Sequence, residues 1–191
     1  MIEDLVRKNR SCRRFYQNHT IELELLKELV NLARLSPSAA NLQPLKYIIS
    51  CKAETNDLIF PCLKWAAYLR DWEGPVEGER PTSYIIILGD TRITKNFGCD
   101  HGIASQSILL GAREKGLAGC MIGAIERENL KKNLNIPDEY EILIVIAIGR
   151  PREEIAIVKV KDGDIRYYRD DNKVHYVPKR DLEEVLIGKY S

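Results

Sequence analysis

The chain has 191 residues, 45% of them hydrophobic and 30% charged, which is enough for one domain with a proper core and no need of disulfides or metals. Its 29 Lys and Arg against 28 Asp and Glu leave a formal charge of +1, arguing against nucleic acid and anionic membrane as main partners, since both demand surplus cations. The five cysteines form no CxxC, there is no charged-then-apolar leader, and no apolar run approaches a membrane span; the expected location is a reducing cytoplasm.

Met1 to Lys8 reads as a short helix ending in a basic cluster. Thr20 can cap a second helix with Ile21, Leu25, Leu26, Leu29, Val30 and Ala33 on one face, stopping at Ser36-Pro37 because proline disfavours a helical residue before it. Tyr47 to Cys51 reads as a strand, and Thr55 to about Trp72 as a helix carrying Trp65, Tyr68 and Trp72 at i, i+3 and i+7. Gly74 to Pro81 is loop. Tyr84 to Gly89 has the unbroken apolar character of a strand buried on both faces.

Asp100 can open the next helix; its stretch Gly102 to Ala112 carries no charge, which makes it central, and Gly116 supplies the stop. Leu117 to Gly123 is a short strand, Arg127 to Leu134 a helix, and Ile142 to Ile148 a third buried strand. After Pro151, Val158 and Val160, then Ile165 and Tyr167, alternate with polar residues around Asp162-Gly163, a two-residue hairpin signal. Asp170 to Asn172 is another turn, and Asp181 to Ile187 a last helical turn or two. The chain is thus one domain, 1–191, in which 152–191 forms a C-terminal arm, and strands interleaved with helices give one central sheet.

The usual dinucleotide and P-loop glycine patterns are absent, as is a GxSxG elbow, and His19, His101 and His175 fall in no catalytic pattern. Cys99-Asp100-His101 offers ligand types, but three adjacent residues at a helix start cannot all face one ion, so no metal is expected. Four stretches remain. Asn9-Arg10-Ser11-Cys12-Arg13-Arg14-Phe15 can grip a phosphate with forked donors, or be a solvated basic helix end. Ser36-Pro37-Ser38-Ala39-Ala40-Asn41-Leu42-Gln43-Pro44 can present polar groups rigidly to a planar ligand, or be a helix-to-strand connection. Gly116 to Gly123 can bring main-chain N–H groups to a ligand, or pack tightly as a buried strand. Pro178-Lys179-Arg180 can be a late cationic contact or a solvated tail.

Their order decides between these readings. An arginine-serine-arginine start, a PSxxNxQP loop, a charge-free helix running into GLxG, a strand ending in Ile-Ala-Ile-Gly-Arg-Pro and a late basic pair together resemble the nitroreductase family. The resemblance implies an α+β fold with a central mixed, largely antiparallel sheet flanked by helices, in an intertwined homodimer holding one FMN per subunit. It assigns Arg10, Ser11 and Arg13 to the phosphate and ribityl grip. Pro37, Ser38, Ala39 and Asn41 fall on the loop that reaches the other subunit's flavin. Met121, Ile122 and Gly123 fall beside the flavin's reactive edge, and Lys179 and Arg180 near late basic residues that help hold the phosphate.

Two departures stand out: Asn9 where many members have another arginine, and Leu45 where many have an aromatic. The variable cover between Tyr47 and Tyr84 sets substrate preference in this family, which assigns Trp65 and Tyr68 to a substrate pocket, although an aromatic stripe at their spacing is more often core than lid. The implied activity carries electrons from NAD(P)H through FMN to a nitroaromatic, quinone or similar small oxidised acceptor, with no side chain needed as a nucleophile. Same-fold alternatives are flavin cleavage and reductive dehalogenation; a non-catalytic flavin-binding dimer is a third reading.

Overall fold

The computed structural model describes residues 1–190. The central sheet is built from β1 (Leu45–Ser50), β2 (Ser83–Asp90), β3 (Ala118–Ile122) and β4 (Tyr140–Gly149), in the order β1-β2-β4-β3 with every pairing antiparallel. All eight residues of β2 are buried. Its side chains alternate between two cores: Tyr84, Ile86 and Leu88 face one, Ile85 and Ile87 the other. A strand covered on both faces has no polar side to show, which is why its sequence is continuously apolar.

Helices α2 (Leu23–Arg34) and α4 (Asp100–Glu114) cover one face, with Leu26, Leu29, Ile108 and Ala112 in the core beside Ile85, Ile146 and Ile148. Short helices α3 (Ala53–Ile59) and α5 (Arg127–Leu134) lie over the other, contributing Ile59 and Leu130. Helix α1 (Ile2–Lys8) rests beside α4. The α+β expectation, with an antiparallel sheet flanked by helices, is what the chain adopts. No helix among the described residues is long and apolar enough to cross a membrane.

Two local features depart from the sequence pattern. Helix α2 is capped at Glu22 rather than Thr20, without a side-chain capping bond. Ile21 sits just outside it and is buried in the same core as Leu26, the pair of positions that forms a hydrophobic staple. The continuous helix expected over Thr55 to Trp72 does not form. It ends at Ile59 and passes through a 3-10 turn, Phe60–Cys62, because Pro61 lacks the N–H needed to continue the helical ladder. Leu63 is then extended and bridges to Ile125. Trp65, Tyr68 and Trp72 therefore share no helical face: Trp65 is buried, Tyr68 is 47% exposed, and Trp72 lies under the Arg169 guanidinium at 4.2 Å.

The glycines of the GLxG stretch divide by role. Gly116 has φ +76° and ends α4, a left-handed position that favours glycine. A Cβ on Gly119 would lie 2.5 Å from the carbonyl oxygen of Ala147, so this glycine serves strand packing, whereas nothing stands within 4 Å of that position on Gly123.

The arm contains β5 (Ile155–Lys159), β6 (Tyr168–Arg169) and β7 (His175–Lys179), then a helical turn, α6 (Leu182–Val185); Ser191 lies outside the described residues. Asp162 and Gly163 have φ of 51° and 73°, as the two-residue hairpin turn requires, but only Lys161 and Asp164 bridge across it. Strand β5 instead pairs in parallel with β7, and the turn at Asp170 to Asn172 joins β6 to β7. The flanks of the first turn have no second layer to bury against, and Ile165 remains 48% exposed.

Candidate functional site

Residues Arg10 to Phe15 run beside the outer edge of β3: the Cys12 N–H donates to the Gly119 carbonyl at 3.0 Å, and Phe15, fully buried, bridges to Pro151. With Cys12 and Phe15 turned inward, the basic side chains between and beside them must leave the core. They separate by partner. Arg14 is held in an ion pair by Glu79, its Nε donating to Oε2 at 2.6 Å. Arg10 caps α1, donating from Nε to the Asn9 carbonyl at 2.6 Å and from Nη2 to the Val6 carbonyl at 2.9 Å. Arg180 pairs with Glu184. None of the ion pairs among the described residues involves Arg10, Arg13 or Lys179.

Those three cations line one groove of about 710 Å³ together with Ser11, Gln106, Leu109, Met121 and, from the arm, Tyr167, His175 and Val177. Arg13 and Met121 also line an adjoining groove of about 410 Å³, completed by Lys64, Trp65, Cys120, Ile122, Gly123 and Ala124. The two share Arg13 and Met121, and so join a cationic end to one where Met121, Ile122 and Trp65 lie beside the open backbone of Gly123. Of the residues singled out from the sequence, they gather Arg10, Ser11, Arg13, Trp65, Met121, Ile122, Gly123 and Lys179. Arg180 turns away to Glu184, and Tyr68 stands outside both grooves, its ring 5.0 Å from that of Tyr167.

The PSxxNxQP loop stands apart. Pro37 and Ser38 line a separate cavity of about 590 Å³ with Arg34, Gln43, Tyr47 and Asp100, and it shares no residue with the cationic surface. Asp100, buried at the start of α4, accepts from the Ser38 hydroxyl at 2.6 Å and the Ala39 N–H at 3.0 Å. Ala40, Asn41 and Gln43 all have φ near +50°, a conformation that costs L residues energy and persists only where surroundings fix it. Ala39 and Asn41 are exposed at its tip.

Arm residues that the sequence did not single out stand behind Arg13. Glu153, with a fully buried side chain, pairs with Arg169 and accepts the Arg13 backbone N–H at Oε2, 2.8 Å away. His175 is fully buried, with Nε2 3.4 Å from Arg13 Nη1. Burial pushes the His175 pKa down to about 4; Glu153 opposes this, and Arg13 and Arg169 add to it. An unfolded histidine takes up its proton near 6.5. Between these values the unfolded state holds more protons, so stability is expected to fall as pH drops from about 6.5 to 4, with up to one proton, or about 1.4 kcal/mol per pH unit, on the slope. Denaturant titrations across that range check this: His175→Phe should lack the component, and an unchanged slope would remove His175 as its source.

The Nitroreductase family model matches residues 6–150. The Bacillus subtilis (strain 168) protein MhqN, which carries the provisional name NAD(P)H nitroreductase, is 26% identical, with 78% of this chain and 88% of that protein covered. Among solved structures, an FMN-dependent nitroreductase from Clostridium difficile R20291 superposes with a TM-score of 0.67 at 24% identity, covering 81% of this chain and 89% of that one. CLA-ER, described as an enone reductase of gut-bacterial fatty acid saturation, reaches a TM-score of 0.69 at 18% identity over 84% of this chain and 93% of its own.

Proposed function

The chain belongs to the nitroreductase family, and on that premise we propose that it is an FMN-dependent oxidoreductase, working as a homodimer, that takes electrons from NAD(P)H and passes them to a nitroaromatic, quinone or similar oxidised acceptor. The observation that carries this reading is the groove where Arg10, Arg13 and Lys179, without carboxylate partners among the described residues, meet Ser11 at one end and Met121 to Gly123 at the other. Two guanidiniums, an ammonium and a hydroxyl with uncommitted charge suit a phosphate monoester. Met121 beside Ile122 and Trp65, with the open backbone at Gly123, suits a flat ring.

FMN, when bound, supplies the electron-transfer chemistry. The chain's own part is to bind, orient and surround it. Arg10, Ser11, Arg13 and Lys179 would together hold the phosphate and the ribityl chain next to it. Cations and N–H donors at this surface favour added negative charge nearby. No thiolate is on hand: burial pushes the Cys12 thiol up to about 12 and raises that of Cys120. The separate placement of Pro37, Ser38, Ala39 and Asn41 supports a loop that completes a partner subunit's site. Exposed Leu182, Val185 and Ile187 on the arm support a surface covered by that partner.

The test is an anaerobic titration of the FMN-loaded protein with NADH and NADPH, followed by a nitroarene, a quinone and an enone. Bleaching by a nicotinamide and recovery of colour with the nitroarene or quinone is the expected result. Bleaching with recovery by neither moves the reading to another acceptor, to flavin cleavage or to reductive dehalogenation. Bound FMN that neither nicotinamide reduces would make the protein a non-catalytic flavin binder.

A further inference from the structure

The two ends of Arg13 are held by the arm of the same chain. Its backbone N–H donates to Glu153 Oε2 at 2.8 Å. Its Nη1 lies 3.4 Å from His175 Nε2 and also donates to the Ser11 carbonyl at 3.3 Å, and its guanidinium sits over the Tyr167 ring, 4.8 Å from the centroid. Glu153 is itself fixed: Arg169 Nε donates to its Oε1 at 3.0 Å, and Arg169 rests on Trp72. His175 is fixed by its backbone N–H to the Glu154 carbonyl at 2.9 Å and by the Tyr167 ring, 5.3 Å away. Its Nδ1 stands 3.9 Å from Glu153 Oε1.

We propose that Glu153 and His175 are positioning residues that hold Arg13 in place for the cofactor while leaving its charge unneutralised; this rests on the reading of the groove as a flavin site. The chemistry of the two holders explains why they differ. An arginine side chain loses several freely rotating bonds when it is fixed on a ligand, so fixing it beforehand favours binding. A carboxylate at the guanidinium would fix it but also cancel the charge meant for an anionic ligand. A neutral imidazole fixes it with a lone pair alone. Burial keeps His175 neutral at physiological pH, and acceptance at Nε2 places the ring hydrogen on Nδ1, which has no hydrogen-bond partner among the described residues and stands 3.9 Å from Glu153 Oε1. The carboxylate of Glu153 meets Arg13 only at the backbone N–H, and its charge is taken up by Arg169. The arm thereby gains a role on its own chain's site, in addition to any contact with a partner.

The experiment is a double-mutant cycle on FMN dissociation constants with thermal unfolding measured alongside. His175→Phe is expected to weaken FMN binding about tenfold. His175→Gln, whose amide oxygen reaches toward the place of Nε2, is expected to stay within about threefold of the unaltered protein. In an Arg13→Ala background, His175→Phe should change affinity less than about twofold, because the group it positions is gone. Equal loss in both backgrounds, or no recovery with Gln, would overturn the proposal in favour of simple packing. If His175→Phe does not fold, His175→Gln and His175→Asn are compared in the same two backgrounds. The shorter amide should then be the weaker binder only where Arg13 is present, and equal affinities would overturn the proposal. Absence of FMN binding by the unaltered chain overturns the flavin reading and this one together; tight binding with an additive cycle overturns this one alone.

Discussion

Arg10→Ala is expected to weaken FMN binding about 100-fold, corresponding to about 2.7 kcal/mol, while lowering the apoprotein's Tm by only about 2–4 °C. The asymmetry follows from what the side chain does. Within the chain it makes two hydrogen bonds to carbonyls at the end of α1, Val6 and Asn9. Such part-exposed bonds contribute about 1 kcal/mol each at most, and water can replace them. Toward an anion it offers a forked, uncancelled charge, and truncating one partner of a desolvated charge pair costs about 2–5 kcal/mol. Fluorescence titration with FMN and thermal unfolding of the apoprotein separate the two effects. Unchanged FMN affinity would return Arg10 to the role of a helix-end residue that only caps α1.

Glu153→Ala is expected to be among the most destabilising single changes, by about 3–5 kcal/mol. The side chain is fully buried, its ion-pair partner Arg169 is only 14% exposed, and one of its oxygens is the acceptor for the Arg13 N–H. Removing it leaves a guanidinium without its counter-charge and an amide without its acceptor. For a domain of this size that corresponds to a fall in Tm on the order of 10 °C. Glu153→Gln keeps an oxygen for each donor and should lose about half as much. A Tm within about 2 °C for the alanine variant would mean that water reaches this region and that the arm is not anchored there.

These two residues mark what local sequence carries and what it does not. The apolar runs of β2 and β4 and the charge-free stretch of α4 announce burial on all sides, because no polar face is needed where no face meets water. The Arg10 to Arg14 cluster is legible for a related reason: a chain with almost no net charge that concentrates three guanidiniums in five residues has a local use for them. The helix through Trp72 failed on one residue. Pro61 breaks it, and apolar spacing taken without backbone donors misses that. Strand β4 shows a second kind of loss: its register shifts opposite Ile87 and Leu88, which puts Ile142 and Val145, three apart, in the same core. Arg127 donates to the Ile142 carbonyl there at 2.9 Å.

The arm was the least legible region. Its local turn at Asp162-Gly163 forms as its residues demand, yet pairing of β5 with β7 is set by residues some 20 apart and by burial of His175 against Glu153 and Tyr167. No spacing encodes that. A lone histidine in a polar tail reads as solvated until the strands bring it behind Arg13. The split of the basic residues was likewise hidden: Arg14 and Arg180 find carboxylates, Glu79 and Glu184, that are distant or unremarkable in sequence, and only then do Arg10, Arg13 and Lys179 stand out as uncommitted.

As proposed, this uncommitted cationic groove takes the phosphate of a flavin. Comparing the affinities of the unaltered apoprotein for FMN and for riboflavin, which differ only in that phosphate, tests it most directly. FMN is expected to bind at least about 100-fold more tightly, with the difference shrinking as salt is raised. Equal affinities for the two flavins would contradict it.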